Sequence, residues 1–459
     1  MNRCEGRASR LWRRLAIAGK VAAQFANRMD LPDNLLGEEQ SGPAPALEPI
    51  AMVALDAGRM LMEAGANATS IEAIVANFAR GLGADRVDLR VGYASLAITI
   101  GVGSNGITRM REVGPLGVNQ RLDQELWRLA DRVSRRELTT QQAREALDCL
   151  AKGTPRHSTL IMAVAVGLAC AAFGRLLKSD WPAVGPVFVG ATIGQFVRRK
   201  LLERHVNVFI CASLVSFLAA LIGGLGALFA GSYTVPTAMI ASILLLVPGI
   251  PSVNALGDIL EGHPTLGSAR AVSVAMTLIF MAVGLWLAEV ATGAVSQPVF
   301  LVTMPIWIFV VHQTIFGAIA AAGFGVLFNL GFRSLAWCMV TGALALAVRT
   351  ICWEQFGWTL EAASFAAALT VGAAVQVLRA RANISQNALD VVGCIPMVPG
   401  SFAAKAILGL FALTSIDTAQ AAEPLTAAIQ STVRVVFTVG AIGTGLAIPT
   451  LLLRVRVAR

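Results

Sequence analysis

From Thr159 to the carboxyl terminus the chain is a succession of ten apolar stretches, at about 159–177, 181–197, 206–230, 234–257, 269–292, 302–328, 334–351, 361–378, 387–412 and 429–453. Each is near the roughly 20 residues that an α-helix needs to cross a bilayer. Hydrocarbon offers no hydrogen bonds, so every backbone polar group must be satisfied by the protein itself, and apolar runs of this length are read as helices. Composition agrees with this. Of 459 residues 56% are hydrophobic and 14% charged, with mean hydropathy +0.67, whereas a soluble domain carries roughly 25% charged residues. The chain reads as a polytopic, α-helical membrane protein. Pro305 and His312 make the sixth stretch the one that a re-entrant opening would also explain.

Two of the stretches are interrupted. LLLVPGIPSVNALGDIL (244–260) places Pro248, Gly249 and Pro251 where a helix should continue, and CIPMVPGSFAAKAILG (394–409) does the same at Pro399 and Gly400. Proline removes a backbone donor and collides with the preceding turn. The two Val-Pro-Gly triplets are 151 residues apart, and the same offset relates Phe173-Gly174 to Phe324-Gly325 and Val197-Arg198 to Val348-Arg349. The expected architecture is therefore ten transmembrane helices arranged as two five-helix repeats, 158–295 and 296–459, each broken in its fourth helix. An odd number of spans forces the second repeat to run in the opposite sense, as in carriers whose solute site lies between inverted repeats.

Charge gives the expected orientation. Thirteen Lys and Arg fall in loops on the side of the amino-terminal segment, and three (Arg175, Lys178 and Arg349) on the other. By the positive-inside rule both termini are cytoplasmic. Residues 1–49 form a basic leader and a Gly/Pro/Ala linker, read as disordered and lying near anionic lipid rather than as a cleaved signal, because Lys20 interrupts its apolar run. The seven cysteines are scattered and suggest neither a disulfide framework nor a metal site.

Residues 50–157 contain no spanning stretch and read as a cytoplasmic α+β domain. An amphipathic helix stops at Gly65. Thr69 to Glu72 has the form of a capping box for a second helix, which ends near Gly81 and Gly83. A β-branched segment follows, with a hairpin turn expected at Ser104-Asn105-Gly106. Two more helices come next, the last entered through Thr139 or Thr140. No catalytic constellation is visible, so the domain reads as a docking or regulatory unit.

Ionisable groups at membrane depth are costly and mark pathways. Asp258 and Asn254 follow the first break on one helical face, Asp390 precedes the second, and Lys405 lies beyond it between apolar runs. If the helices restart after their breaks, Ser252 and Ser401 are candidate N-caps, and each new N-terminus would favour an anion. The expected substrate site comprises Pro248, Gly249, Ser252, Asn254, Asp258, Pro399, Gly400, Ser401 and Lys405. A solute carboxylate would lie near the serines and its ammonium near Asp258 or Asp390, the two candidates for proton coupling. Glu289, His312 and Arg434 are read as a helix-end residue, a mid-span group and a snorkelling cation. No cofactor, metal, catalytic residue or nucleic-acid partner is expected; assembly into a homo-oligomer is compatible with the sequence.

The runs MLMEAGANATSIEAIVANFARGLG, TRMREV, CLAKG and LVPGIPSVNALGDILEG resemble the threonine/serine exporter family, and GFGVLFN through MVPGSFAAKAILG resembles its carboxyl-terminal membrane domain. The resemblance covers residues 50 to 450. It implies a bacterial cytoplasmic-membrane exporter of small hydrophilic amino acids, driven by the proton motive force. Some relatives are associated with dicarboxylate export, such as that of succinate. The resemblance extends to neither the Arg-rich leader nor a residue-by-residue match of MVPGSFAAKA. A membrane-embedded enzyme and a passive channel are the rival classes. The first would need a catalytic set at depth, and the second would be insensitive to an uncoupler.

Overall fold

In the computed structural model, residues 47–293, 305–382, 389–403 and 422–457 are described, with positions 406 and 409. Residues 1–46 of the leader and linker, and Lys405, lie outside the described residues.

Helices α1 (Leu47–Glu63) and α2 (Ala68–Gly81) pack on an antiparallel sheet of order β1-β2-β3, formed by Arg86–Val91, Ser95–Val102 and Asn105–Glu112. Alternation along β2 explains the arrangement: Leu96, Ile98 and Ile100 are buried against α1 and α2, with Leu55, Ile71, Val75 and Phe78. Gly65 turns the chain between the two helices at φ +93°, and a Cβ there would lie 2.7 Å from the Gly117 carbonyl, so no larger residue fits. Helices α3 (Gln120–Ser134) and α4 (Thr140–Gly153) close the layer.

Local signals in this domain require two corrections. The N-cap of α2 is Asn67, whose side chain accepts from Ser70 N, not Thr69. Asparagine caps a helix as well as threonine does, and here its β-region backbone sets the start two residues earlier. The hairpin turns at Gly103-Ser104 with Val102 opposite Asn105, which places Asn105 and Gly106 within β3. Gly103 supplies the positive φ that the turn needs. Thr139 is the N-cap of α4, with Gln142 completing a capping box.

The apolar remainder is α5 (Thr159–Leu176), α6 (Val184–Glu203), α7 (Val208–Phe229), α8 (Val235–Ile243), α9 (Gly249–Leu260), α10 (Pro264–Thr292), α11 (Ile306–Leu327), α12 (Phe332–Thr350), α13 (Leu360–Ala382), α14 (Leu389–Cys394) and α15 (Ala422–Val457). Among the described residues seven helices are long and apolar enough to cross a membrane, or eight if the pair α8–α9, bent by 59°, forms one span. Of the sixth apolar stretch, Ile306–Leu327 forms one helix of 22 residues, α11, while the residues before Pro305, where a re-entrant opening would begin, lie outside the described residues. Small residues let these helices approach closely. A Cβ on Gly284 of α10, for instance, would fall 2.8 Å from the Phe217 amide of α7.

Candidate functional site

Both interruptions have one backbone design. A 3-10 turn (Leu244–Leu246; Ile395–Met397) is closed by Val247 N donating to Leu244 O at 3.2 Å and Val398 N to Ile395 O at 2.9 Å. The valine is extended in each, at φ −60°, ψ 124° and φ −61°, ψ 127°. A tight turn about the proline follows, with Gly249 N and Gly400 N each bonded to the preceding valine carbonyl at 2.8 Å. Its conformation at Pro248 (φ −76°, ψ 71°) is that of an inverse γ-turn. The helix then resumes, with Ser252 N on Pro248 O at 3.0 Å and Ala403 N on Pro399 O at 3.1 Å. These internal bonds satisfy backbone groups that the prolines would otherwise leave bare at depth.

The two breaks also touch reciprocally. A Cβ on Gly249 would meet Ile395 Cγ2 at 3.2 Å, and one on Gly400 would meet Leu244 Cδ1 at 3.0 Å and Val247 Cγ2 at 3.2 Å. Gly400 and Ile395 stand 151 positions after Gly249 and Leu244, so each half packs the turn before its break against the glycine of the other. The contact is closed and apolar: Leu244, Leu245, Ile250, Ile395 and Met397 are all buried.

Several expected site residues occupy other roles. Ser252 does not cap a helix; α9 starts at Gly249, and the Ser252 hydroxyl donates back to Pro248 O at 2.7 Å. Ser401 likewise falls one residue inside its helix. Asn254 donates from Nδ2 to Gly65 O at 2.8 Å. Asp258, wholly buried, accepts from Ala68 N at 2.8 Å on Oδ1 and from Arg270 Nη1 at 2.6 Å on Oδ2. Arg270 Nη2 reaches Ala66 O at 2.7 Å. Both oxygens of Asp258 are thus engaged, and it lies at the joint between the α+β domain and the α9–α10 turn. There it faces the N-terminus of α2, where a carboxylate complements the helix dipole. Glu261 extends the joint by accepting from Asn67 and Thr69.

A second joint was not visible in the sequence. Asn329, in the left-handed conformation (φ 60°), forms the turn between α11 and α12. Its Nδ2 donates to Asn119 Oδ1 at 2.9 Å and to Pro155 O at 3.0 Å, and its Oδ1 accepts from His157 N at 3.2 Å. Asparagine tolerates this backbone, which is the signal that a polar residue between two apolar runs offers.

Asp390 begins the segment leading to the second break, in α14; its side chain, like Lys405, lies outside what is described. Beside Leu256 of α9 an open groove of about 800 Å³ lies between α9, α13 and α15, bordered by Glu361, Phe365, Phe437 and Thr444. Arg434 Nε is 3.7 Å from Glu361 Oε1, and its guanidinium lies 5.2 Å above the Phe402 ring. No group of three or more His, Cys, Asp or Glu suited to a metal exists among the described residues.

Residues 52–291 match the family described as "Putative threonine/serine exporter", and residues 313–452 match "Threonine/Serine exporter, ThrE". The "Probable succinate transporter subunit YjjP" of Escherichia coli (strain K12) is 27% identical over 244 residues, 52% of this chain and 94% of that protein. Its namesake in Klebsiella aerogenes is 27% identical over 233 residues, 49% of this chain and 90% of that one. An uncharacterized protein of Haemophilus influenzae is 30% identical over 141 residues, 31% of this chain and 46% of its own length. No solved structure matches the chain.

Proposed function

The chain belongs to the threonine/serine exporter family, and from that premise we propose that it is a secondary active exporter of small hydrophilic amino acids, threonine or serine, coupled to protons. Its architecture is ten spans in two inverted five-helix repeats in a bacterial cytoplasmic membrane, with the α+β domain and both termini inside. The second and ninth apolar stretches, 181–197 (largely α6) and 387–412, are the spans beyond the eight apolar ones. The observation that carries this reading is the reciprocal contact of Gly249 with Ile395 and of Gly400 with Leu244. Contacts exchanged between equivalent positions are what a two-fold axis between repeats produces. The solute route passes between the breaks, which are shut against each other in this conformation, and opening them exposes Pro248, Gly249, Ser252, Pro399, Gly400 and Ser401. We assign the coupling proton to Asp390 and recognition of the solute carboxylate to Lys405, on their residue types and places in the sequence. Asp258 and Asn254 instead tie the first repeat to the cytoplasmic domain, so that rearrangement of α9 is transmitted to α2.

Orientation is supported by the two joints. The α9–α10 and α11–α12 turns both touch the α+β domain, and two crossings, α10 and α11, separate them, which returns the chain to one side. A second reading, export of a dicarboxylate, is favoured by the relatives named as succinate transporter subunits. Efflux of labelled threonine, serine and succinate from cells overexpressing the full chain, with and without an uncoupler, separates the readings. Uncoupler-sensitive efflux of threonine or serine supports the first, and of succinate alone the second. Efflux unchanged by the uncoupler contradicts both.

A further inference from the structure

At the end of α5 farthest from the α+β domain lies a polar cluster to which the breaks contribute nothing. Helix α5 has 18 residues, about 27 Å at roughly 1.5 Å per residue, and Arg175 is its penultimate one. Arg175 is buried; its Nη1 donates to Ser179 O and its Nη2 lies 3.3 Å from His312 Nε2 of α11. Trp181 covers the guanidinium at 4.3 Å, and Phe316 backs the His312 ring at 4.5 Å. Gln313 Nε2, donating to Leu176 O at 3.4 Å, holds α11 against the same helix end.

The remaining polar atoms of this cluster are buried without partners: Arg175 Nε, Ser179 Oγ and His312 Nδ1. With His312 Nε2 accepting from Arg175, its Nδ1 carries a proton. All three atoms are then donors, and burying an unsatisfied donor costs on the order of 1–3 kcal/mol. No carboxylate comes within 4.0 Å of Arg175 among the described residues. The nearest in sequence, Asp180, has both oxygens engaged by Ser232 at 2.7 Å, Thr234 at 2.9 Å and Tyr233 N at 2.8 Å. Burial acts to raise the Asp180 carboxyl, but the bonds from Ser232, Tyr233 and Thr234 outweigh it and hold the group below its ordinary range. Lys178 adds a second positive charge, 5.0 Å above the Phe309 ring.

A fixed guanidinium, an imidazole N–H and a hydroxyl with no acceptor form a donor set for an anion of planar, bidentate shape. We propose that Arg175, Ser179 and His312 form a carboxylate-binding station for the transported solute, on the membrane face opposite the α+β domain and apart from the helix breaks. For its solute the assignment rests on the carrier reading. An amino-acid or dicarboxylate exporter must hand over a carboxylate at this face, and Arg175 joins the first repeat to the second through His312.

Trp181 supplies a reporter that works whether or not transport occurs. The full chain in proteoliposomes is titrated with succinate, threonine, serine and inorganic phosphate while tryptophan emission is followed. A saturable change with at least one carboxylate is expected. It should be absent in Trp181→Phe, weakened at least tenfold in Arg175→Gln and severalfold in Ser179→Ala and His312→Gln, and partly restored in Arg175→Lys. Ser179→Ala removes a single atom, so its result does not hinge on refolding. No Trp181-dependent change with any carboxylate, an unaltered midpoint in Arg175→Gln and Ser179→Ala, or phosphate matching the carboxylates would overturn the station. Transport of labelled solute is measured on the same vesicles. Normal transport with an unchanged KM in both variants refutes the station and leaves the carrier reading standing. Absence of transport by the wild type refutes the carrier, and the fluorescence titration still decides the station.

Discussion

Phe173 and Phe324 meet edge to face, ring centroids 5.8 Å apart and planes at 85°, and they are separated by the same 151 residues as Pro248 and Pro399. On the proposed two-repeat architecture, a residue that touches its own repeat equivalent lies beside the axis relating the two. Phe173→Ala and Phe324→Ala should therefore be similar in cost, each about 3–5 kcal/mol for a buried ring. The double variant should cost less than the sum, because the ring pair contributes roughly 0.5–1.5 kcal/mol of its own. Thermal unfolding of the purified single and double variants measures both.

Asp258 and Arg270 are nearly devoid of solvent exposure, with side chains 0% and 4% accessible. Removing one partner leaves an uncompensated buried charge, at a cost of about 3–5 kcal/mol. Asp258→Asn or Arg270→Met should loosen the α+β domain and speed its proteolytic release. A double replacement should be less damaging than the two single ones summed. Transport by Asp258→Asn is expected to fall in step with domain docking, so a variant that docks normally but has lost coupling would return Asp258 to the proton path.

Asn329→Ala removes two donated bonds and one accepted bond, and it places alanine at φ 60°. Asn329→Gly relieves the backbone and loses the same bonds. Alanine should be the worse of the two by about 1 kcal/mol, the left-handed penalty, when cleavage between α4 and α5 is followed by limited proteolysis.

What the sequence made legible was whatever is local or repeated. Apolar length gave the seven or eight helices long enough to span among the described residues, and Val-Pro-Gly gave two breaks of one geometry because three adjacent residues dictate that backbone. Caps and turns were less legible: Asn67 and Thr69 both suit an N-cap, and Gly103 and Gly106 both suit a turn. Only the packing of Leu96, Ile98 and Ile100 settles the register. The joints were not legible at all. Asn119 and Asn329 are 210 residues apart, and the pairing of Asp258 with Arg270 and Ala68 depends on how two separately folded layers meet. A buried carboxylate looks the same in a sequence whether it holds a solute or a neighbouring domain.

Asp123, in α3, is pushed up to about 7, chiefly by burial. An acid whose folded pKa exceeds its unfolded one binds more protons when folded, so stability falls as pH rises from about 4 to about 7. Asp123→Asn should flatten that slope. Melting temperature of the full chain against pH, wild type beside variant, checks it; an equally steep decline in the variant would assign the slope to other groups.

In the proposed transport cycle the two helix breaks, which oppose each other at Gly249 and Ile395, separate for the solute to pass. Cysteines placed at Gly249 and Ile395, in a chain whose native cysteines are replaced by serine or alanine, test it most directly when bridged by oxidation or by a short bifunctional thiol reagent. If the breaks must part, the bridge forms readily, abolishes transport, and transport returns on reduction. A bridge that does not form, or a bridged protein that transports at the unbridged rate, would contradict it.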